Sequence, residues 1–425
     1  MRGLEPVNGP SHVDDEVLLA RAYLSRVAEP TCVPLWAAVR RAGPVAVAEA
    51  VRAGDVPDDL REATAGRANR IDPHADLEAA DRRGIRLLVP EMSDWPHIAM
   101  AALESTALER LARYVAGDKT RALGGELVPP LALWTRGPAA LASLSLRSAA
   151  IVGSRSSTSY GNEVAKDLAY RLALRDFDVV SGGAYGIDAA AHRGALAAAG
   201  RTFLVTAGGV DEPYPSGNRD LFARVARSGL ILSESPPGAK PHRHRFLSRN
   251  RLIAALGTGT VVVEAAARSG AMNTAAHCRG LGRVLMAVPG PVSSTFSVGC
   301  HRLLSSEHAP ARLVTRVEDV VAQIGGSSDL SFDDSSSGSS QEPPGGETAG
   351  ASRSRAADAL DPTTRQVLDG FPARATITLD RLIVTSGVPQ SDTIRAIPML
   401  QMHGLIEQDA DGGYRLVNAP RARRS

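Results

Sequence analysis

Six short apolar runs, Ala149–Gly153, Phe177–Ser181, Thr202–Thr206, Gly229–Ser233, Thr260–Glu264 and Arg283–Val288, alternate with helical patterns around 161–175, 188–199, 217–227, 248–256 and 273–281. Runs this short, β-branched and apolar throughout predict strands covered on both faces of a parallel sheet. Repeated strand-helix units joined by right-handed crossovers make the expected fold class α/β, a doubly wound parallel sheet. Such sheets bind ligands beyond the carboxyl ends of their strands, where this chain places loops rich in Gly, Ser and Arg.

The flanks read differently. Residues 14–116 alternate helical patterns with breakers at Glu29-Pro30, Ala42-Gly43-Pro44 and Asp72-Pro73, and Leu35–Ala53 reads as a plain helical hairpin. Pro129–Trp134 reads as an extended strand entering the next domain. Residues 325–358 hold Gly, Ser, Asp and Pro with almost no large apolar side chain, the composition of a disordered linker. Order returns with helices around Thr363–Gly370, Leu379–Thr385 and Ser391–Gly404 and a hairpin from Leu405 to Val417, a winged-helix-like pattern. The domain boundaries are thus placed at 1–120, 121–324, 325–358 and 359–419.

A net charge of +2 over 425 residues confines any nucleic-acid surface to a local patch. Three cysteines in so long a chain argue against a disulfide scaffold and fit a reducing cytoplasm. No apolar run approaches a membrane span and no secretory h-region is apparent, so a cytoplasmic location is expected.

Four loops carry the chemistry. Gly153-Ser154-Arg155 closes the first strand before a helix. Gly153 lets the backbone come close, Ser154 offers a hydroxyl, Arg155 can grip phosphate bidentately, and the helix N-terminus favours an anion. The dinucleotide Gly-x-Gly-x-x-Gly and the P-loop Gly-Lys-Ser/Thr are both absent, so no nicotinamide or other nucleotide cofactor is expected. Ser181-Gly182-Gly183-Ala184-Tyr185-Gly186-Ile187-Asp188 forms a second glycine-rich turn. Asp188 and His192 can meet on one helical face, but no nucleophile elbow accompanies them and the capping reading is preferred.

Between Lys240 and Arg251 the chain carries Lys240, Arg243, Arg245, Arg249 and Arg251 with His242, His244 and Phe246 and no acid. Guanidinium groups with an interleaved ring suit a single-stranded nucleic acid. In the fourth loop Ser269 and Gly270 stand at another helix start, and Glu264, ending its strand, is read as a fastener of loops. The pairs His277-Cys278 and Cys300-His301 lack metal-site spacing.

Taken in order, Gly153-Ser154-Arg155, Tyr160-Gly161, Ser181-Gly182-x-Ala184-x-Gly186-Ile187-Asp188, Tyr214-Pro215, Ser233-Glu234, Phe246-x-x-Arg249-Asn250-Arg251, Ser269-Gly270 and Ala287-Val288-Pro289-Gly290 resemble the DprA (Smf) family of DNA-processing proteins. The resemblance covers about 130–310 and extends more weakly to the helical, SAM/HhH-like N-terminal segment and the winged-helix-like end. It implies an extended Rossmann-like domain without enzymatic chemistry that binds and protects single-stranded DNA, works as a homodimer, and loads the recombinase RecA in natural transformation or recombination. Carried over, Ser154 and Arg155 would take a phosphate, with Gly182, Ser269 and Gly270 lining the pocket. Arg249, Asn250 and Arg251 would contact the strand and Phe246 would support or stack on it, with Lys240 and Arg243 in the same basic run.

The chain departs from the family pattern at Leu247, Ala271, Met272-Asn273 and His301. Two other functions compete. Gly257-Thr258-Gly259-Thr260 with Glu264 faintly echoes nucleotide N-glycoside hydrolases of the lysine-decarboxylase-like group. Arg395, on a candidate recognition helix where Met399, Leu400 and Met402 read as packing residues, would serve a duplex-DNA regulator.

Overall fold

A computed structural model describes residues 13–115, 127–144, 147–325, 362–369, 371, 376–386, 388, 390–402, 405–409 and 413–417. The chain divides into two compact units, Met1–Asp333 and Asp334–Ser425. The expected boundary at residue 120 and the expected linker, from 326 on, lie outside the described residues.

Five helices open the first unit: α1 (Asp15–Val27), α2 (Val33–Ala42), α3 (Pro44–Ala53), α4 (Asp58–Thr64) and α5 (Pro73–Asp81). The Gly-Pro breaker works as its chemistry dictates. Gly43, at φ 82°, closes α2 in a conformation that suits glycine, and Pro44 opens α3, where its missing N–H costs nothing. The next element corrects the purely helical reading of this region. Residues Arg86–Leu88 form a strand, β1, before α6 (His97–Val115). β1 pairs antiparallel with β2 (Leu133–Arg136), so the N-terminal segment completes the sheet of the next. β2 begins later than expected because Pro129 and Pro130 have no N–H for a ladder.

Strand-helix alternation follows: β3 (Ser148–Val152), α7 (Ser159–Ala173), β4 (Asp178–Ser181), α8 (Ile187–Ala197), β5 (Thr202–Val205), α9 (Arg219–Ser228), β6 (Leu230–Ser233), α10 (Arg243–Leu256), β7 (Gly259–Val262), α11 (Gly270–Gly280) and β8 (Val284–Ala287). Each strand lies within a residue or two of its expected span. The unit closes with α12 (Val298–Leu304), the short edge strand β9 (Arg312–Leu313) and α13 (Val317–Ile324). The nine-stranded sheet runs β1-β2-β6-β5-β4-β3-β7-β8-β9, antiparallel at β1-β2-β6 and parallel elsewhere. Side-chain alternation along β3 feeds two cores. Ala149 and Ile151 pack with Leu168, Leu172 and Ala191, whereas Ala150 and Val152 pack with Leu252, Ile253 and Ala275. From β3 the chain winds first through β4, β5 and β6 and then returns to β7 on the other side, so the crossing direction reverses between β3 and β7. A crevice opens at that reversal.

The second unit contains α14 (Pro362–Asp369), α15 (Leu379–Ser386), α16 (Gln390–Met402) and a hairpin of β10 (Ile406–Gln408) and β11 (Tyr414–Leu416), the expected order of elements. It has its own core around Val367, Leu382, Ala396, Leu400 and Ile406. Met399, read from the sequence as a packing residue beside Leu400, is 39 % exposed, and Met402 has no described side chain. Among the described residues no helix is long and apolar enough to cross a membrane.

Candidate nucleic-acid interface

The crevice between β3 and β7 is a cleft of about 460 Å³. It gathers Gly153, Ser154 and Arg155 from the β3–α7 loop, Arg243, Phe246, Arg249 and Asn250 from α10, and Ser269 and Gly270 from the start of α11. Ala184 and Asp188 complete one wall, and Asp188 is the one carboxylate in the lining among the described residues.

The β3–α7 loop is held from below. A Cβ at Gly153 would come within 2.5 Å of Ile187 Cγ1 and 2.9 Å of the Glu264 carbonyl, which is why the tight turn needs glycine. The Ser154 N–H donates to the Glu264 carbonyl at 2.7 Å, and the Ile187 N–H donates to the Ser154 carbonyl at 3.2 Å. The Glu264 carboxylate accepts from the Thr158 N–H at 2.9 Å and from the Thr158 hydroxyl at 2.6 Å. This corrects the reading of the α7 N-terminus as an open anion cradle. The anion there is the chain's own Glu264, which is buried. The groups this loop presents to the cleft are the Ser154 hydroxyl and the exposed Arg155 guanidinium. Glu264 thus fastens the loop, as the fastener reading had it.

The N-terminus of α11 is different. Ser269 is its N-cap residue but makes no side-chain capping bond, and its hydroxyl oxygen is buried without a hydrogen-bond partner. Open space surrounds Gly270. The Asn250 amide braces this turn, donating to the Gly270 carbonyl at 3.3 Å and to Asn273 Oδ1 at 3.0 Å.

The cations divide by burial. Arg155 and Arg243 are exposed and form no salt bridge among the described residues. The Arg155 guanidinium lies 5.0 Å from the Phe246 ring centroid, and Tyr214 braces that ring from 5.4 Å, so Phe246 orients a cation at the mouth of the cleft. Arg249 is buried and donates to the carbonyls of Gly182 and Val205. Burial pulls its pKa down to about 10, with Asp188 opposing and Arg155 adding to the fall, and the group stays charged at neutral pH. Burial pushes the Asp188 pKa up against the pull of Arg249 and of the Ala184 N–H.

Three expected site residues lie outside the cleft. Gly182 stands behind Arg249, where a Cβ would come within 2.5 Å of the guanidinium, so it positions the cation rather than lining the pocket. Lys240 is exposed in a neighbouring cleft with Arg67, Arg70, His242 and Arg245. Arg251 corrects the expectation of a strand contact. It is fully buried, its Nη atoms donate to both Glu234 oxygens at 2.6 Å, and its Nε donates to the Val128 carbonyl at 2.7 Å. The basic run is also less of a loop than it reads, since α10 begins at Arg243 rather than near 248. Asp188 and His192 do not pair. Asp188 accepts from the Ala184 N–H, while His192 Nδ1 meets the Thr202 hydroxyl at 2.7 Å in a fully buried position. Ser156, Ala184 and Thr274, which were not among the expected site residues, also line the cleft.

A family model described as DNA recombination-mediator protein A matches residues 121–325. The chain is 46% identical over 406 residues to the putative DNA processing protein DprA of Mycobacterium tuberculosis (strain H37Rv), covering 95% of this chain and 96% of that protein. It is 35% identical over 196 residues to the DNA processing protein DprA of Bacillus subtilis, covering 46% of this chain and 65% of that one. Among solved structures, the DNA processing protein A of Streptococcus pneumoniae superposes with a TM-score of 0.56 at 25% identity, covering 73% of this chain and 98% of that chain.

Proposed function

This chain belongs to the DprA family of DNA-processing proteins, and we propose from that premise that the switch-point cleft binds the backbone of single-stranded DNA. The observation that carries the reading is the set of guanidinium groups of Arg155, Arg243 and Arg249 converging on one cleft with the unbonded Ser269 hydroxyl. A cleft lined by three guanidinium groups against one carboxylate suits a chain of phosphates. In the same reading the protein is a non-enzymatic recombination mediator that works as a homodimer, protects the strand and passes it to the recombinase RecA.

A mobility-shift titration with oligo-dT at two salt concentrations tests the cleft. Three phosphate contacts give a slope of log K against log salt of about −2 for a single strand. Arg155→Ala should weaken binding to all sequences alike and flatten that slope by about 0.7. A preference for duplex, or unchanged affinity in the variant, removes the cleft from the function. Release of free base from nucleoside monophosphates would make the protein an N-glycoside hydrolase instead.

A further inference from the structure

Arg155 and Ser156 are shared by two cavities. Beyond them, away from α10, lies a second cleft of about 410 Å³ lined by Ser157, Asn162, Lys166 and Arg193, with Glu163 at its edge. Lys166 on α7 and Arg193 on α8 are exposed, and neither side chain forms a hydrogen bond or ion pair among the described residues. The Ser157 hydroxyl donates to Asn162 Oδ1 at 2.7 Å, which leaves the Asn162 amide N–H groups as its contribution to the cleft. Except for the Glu163 carboxylate, the charged and amide groups offered are donors and cations. The floor is shaped by Gly186, at φ 73°, whose missing Cβ lets α8 start directly beneath the Ser154 and Arg155 carbonyls.

We infer that this second cleft is a continuation of the strand-binding site, in which Lys166 and Arg193 take the phosphates that follow the one held by Arg155. The inference rests on the single-strand reading of the main cleft. A backbone gripped by Arg155 meets unpaired cations on either side of that residue, and Arg155 becomes the hinge of a track rather than its end. A polyanion fits this arrangement better than a lone phosphate, because the cations sit on two helices and no single group of donors closes around one point.

The test uses the full-length protein and oligo-dT from about 4 to about 16 nucleotides, the range of site sizes common for single strands. In the Lys166→Glu, Arg193→Glu double variant the shortest oligonucleotide should bind as it does to the wild type, while the gain in affinity on lengthening is lost. The salt slope for the longest should flatten by about 1.4, two contacts at about 0.7 each. Glu163→Gln should act in the opposite sense, tightening the long oligonucleotide by a few-fold, which a merely damaged fold would not do. Equal affinity and slope for the long oligonucleotide in wild type and double variant would overturn the inference and leave the main cleft standing. Failure of the wild type to bind any single strand would overturn both.

Discussion

Two residues along an α-helix turn the side chain by about 200°, and that rotation separates Arg249 from Arg251. The first faces the cleft; the second enters the protein and closes a bidentate pair with Glu234. Their charges are the same and their tasks are not. Arg251→Ala leaves the Glu234 carboxylate with no guanidinium beside it, and breaking a buried pair of this kind costs about 3–5 kcal/mol. Chemical denaturation should show that loss, while the folded fraction keeps its affinity for oligo-dT; weakened binding at full stability would return Arg251 to the interface. The buried histidines supply a second residue-scale prediction. Burial, then Arg249 and Arg193, lowers the His192 pKa to about 3, and burial, then Arg251 and Arg110, lowers that of His277 to about 4. In the unfolded chain a histidine titrates near 6.5. Below that pH the unfolded state therefore binds protons that the folded state refuses, so stability present above about pH 6.5 is lost as pH falls. The slope is about 1.4 kcal/mol per pH unit for each group. Urea midpoints measured between pH 7.5 and 5 should fall accordingly, and His192→Gln should remove roughly half of the slope; midpoints that hold constant across this range would refute the assignment.

At the scale of elements, strands β3 to β8 were legible because each is covered on both faces and built mostly of apolar residues. Ala149 to Val152 could be nothing else. β1 was not, since Arg86-Leu87-Leu88 is three residues long and its strand character comes from pairing with β2 rather than from its own pattern. The start of α10 was hidden for a related reason. Cations crowd its first turn, where the helix dipole disfavours them, so local signals postpone the helix to 248. The chain compensates from a distance: Glu29 accepts from His244 and Arg245 across more than two hundred residues, a pairing that no window of sequence reveals. The two helix starts that the sequence marks as anion positions differ in the structure: Glu264 is fastened to Thr158 at the start of α7, whereas the Ser269 hydroxyl at the start of α11 bonds nothing among the described residues. Ser269→Ala tests this assignment. Removing a buried hydroxyl that bonds nothing in the protein should leave the thermal midpoint unchanged or raised. Affinity for single strands should fall about tenfold, the worth of a hydrogen bond to a charged group. A lowered midpoint with intact affinity would make Ser269 a structural cap.

For the whole molecule, the relevant fact is where the cleft's parts come from. Loops after β3 and β7, the first turns of α10 and the N-terminus of α11 all belong to the first unit, and among the described residues its hydrophobic clusters reach no further than Ile324. Even the N-terminal helices are tied to the sheet, through β1 and through the ion pairs that Glu29 makes with α10. The second unit encloses its own small core. A chain ending at Asp333 should therefore unfold in one cooperative transition at the temperature of the corresponding full-length transition. It should also retain the affinity and salt slope of the full chain for oligo-dT. The reverse truncation is the more severe trial. Removing residues 1–115 strips β1 from the sheet edge and Glu29 from Arg245, so the remaining fragment should lose stability and strand binding together. If it instead folded and bound normally, the N-terminal segment would be an appended module, and the part assigned to Glu29 in holding α10 would be wrong.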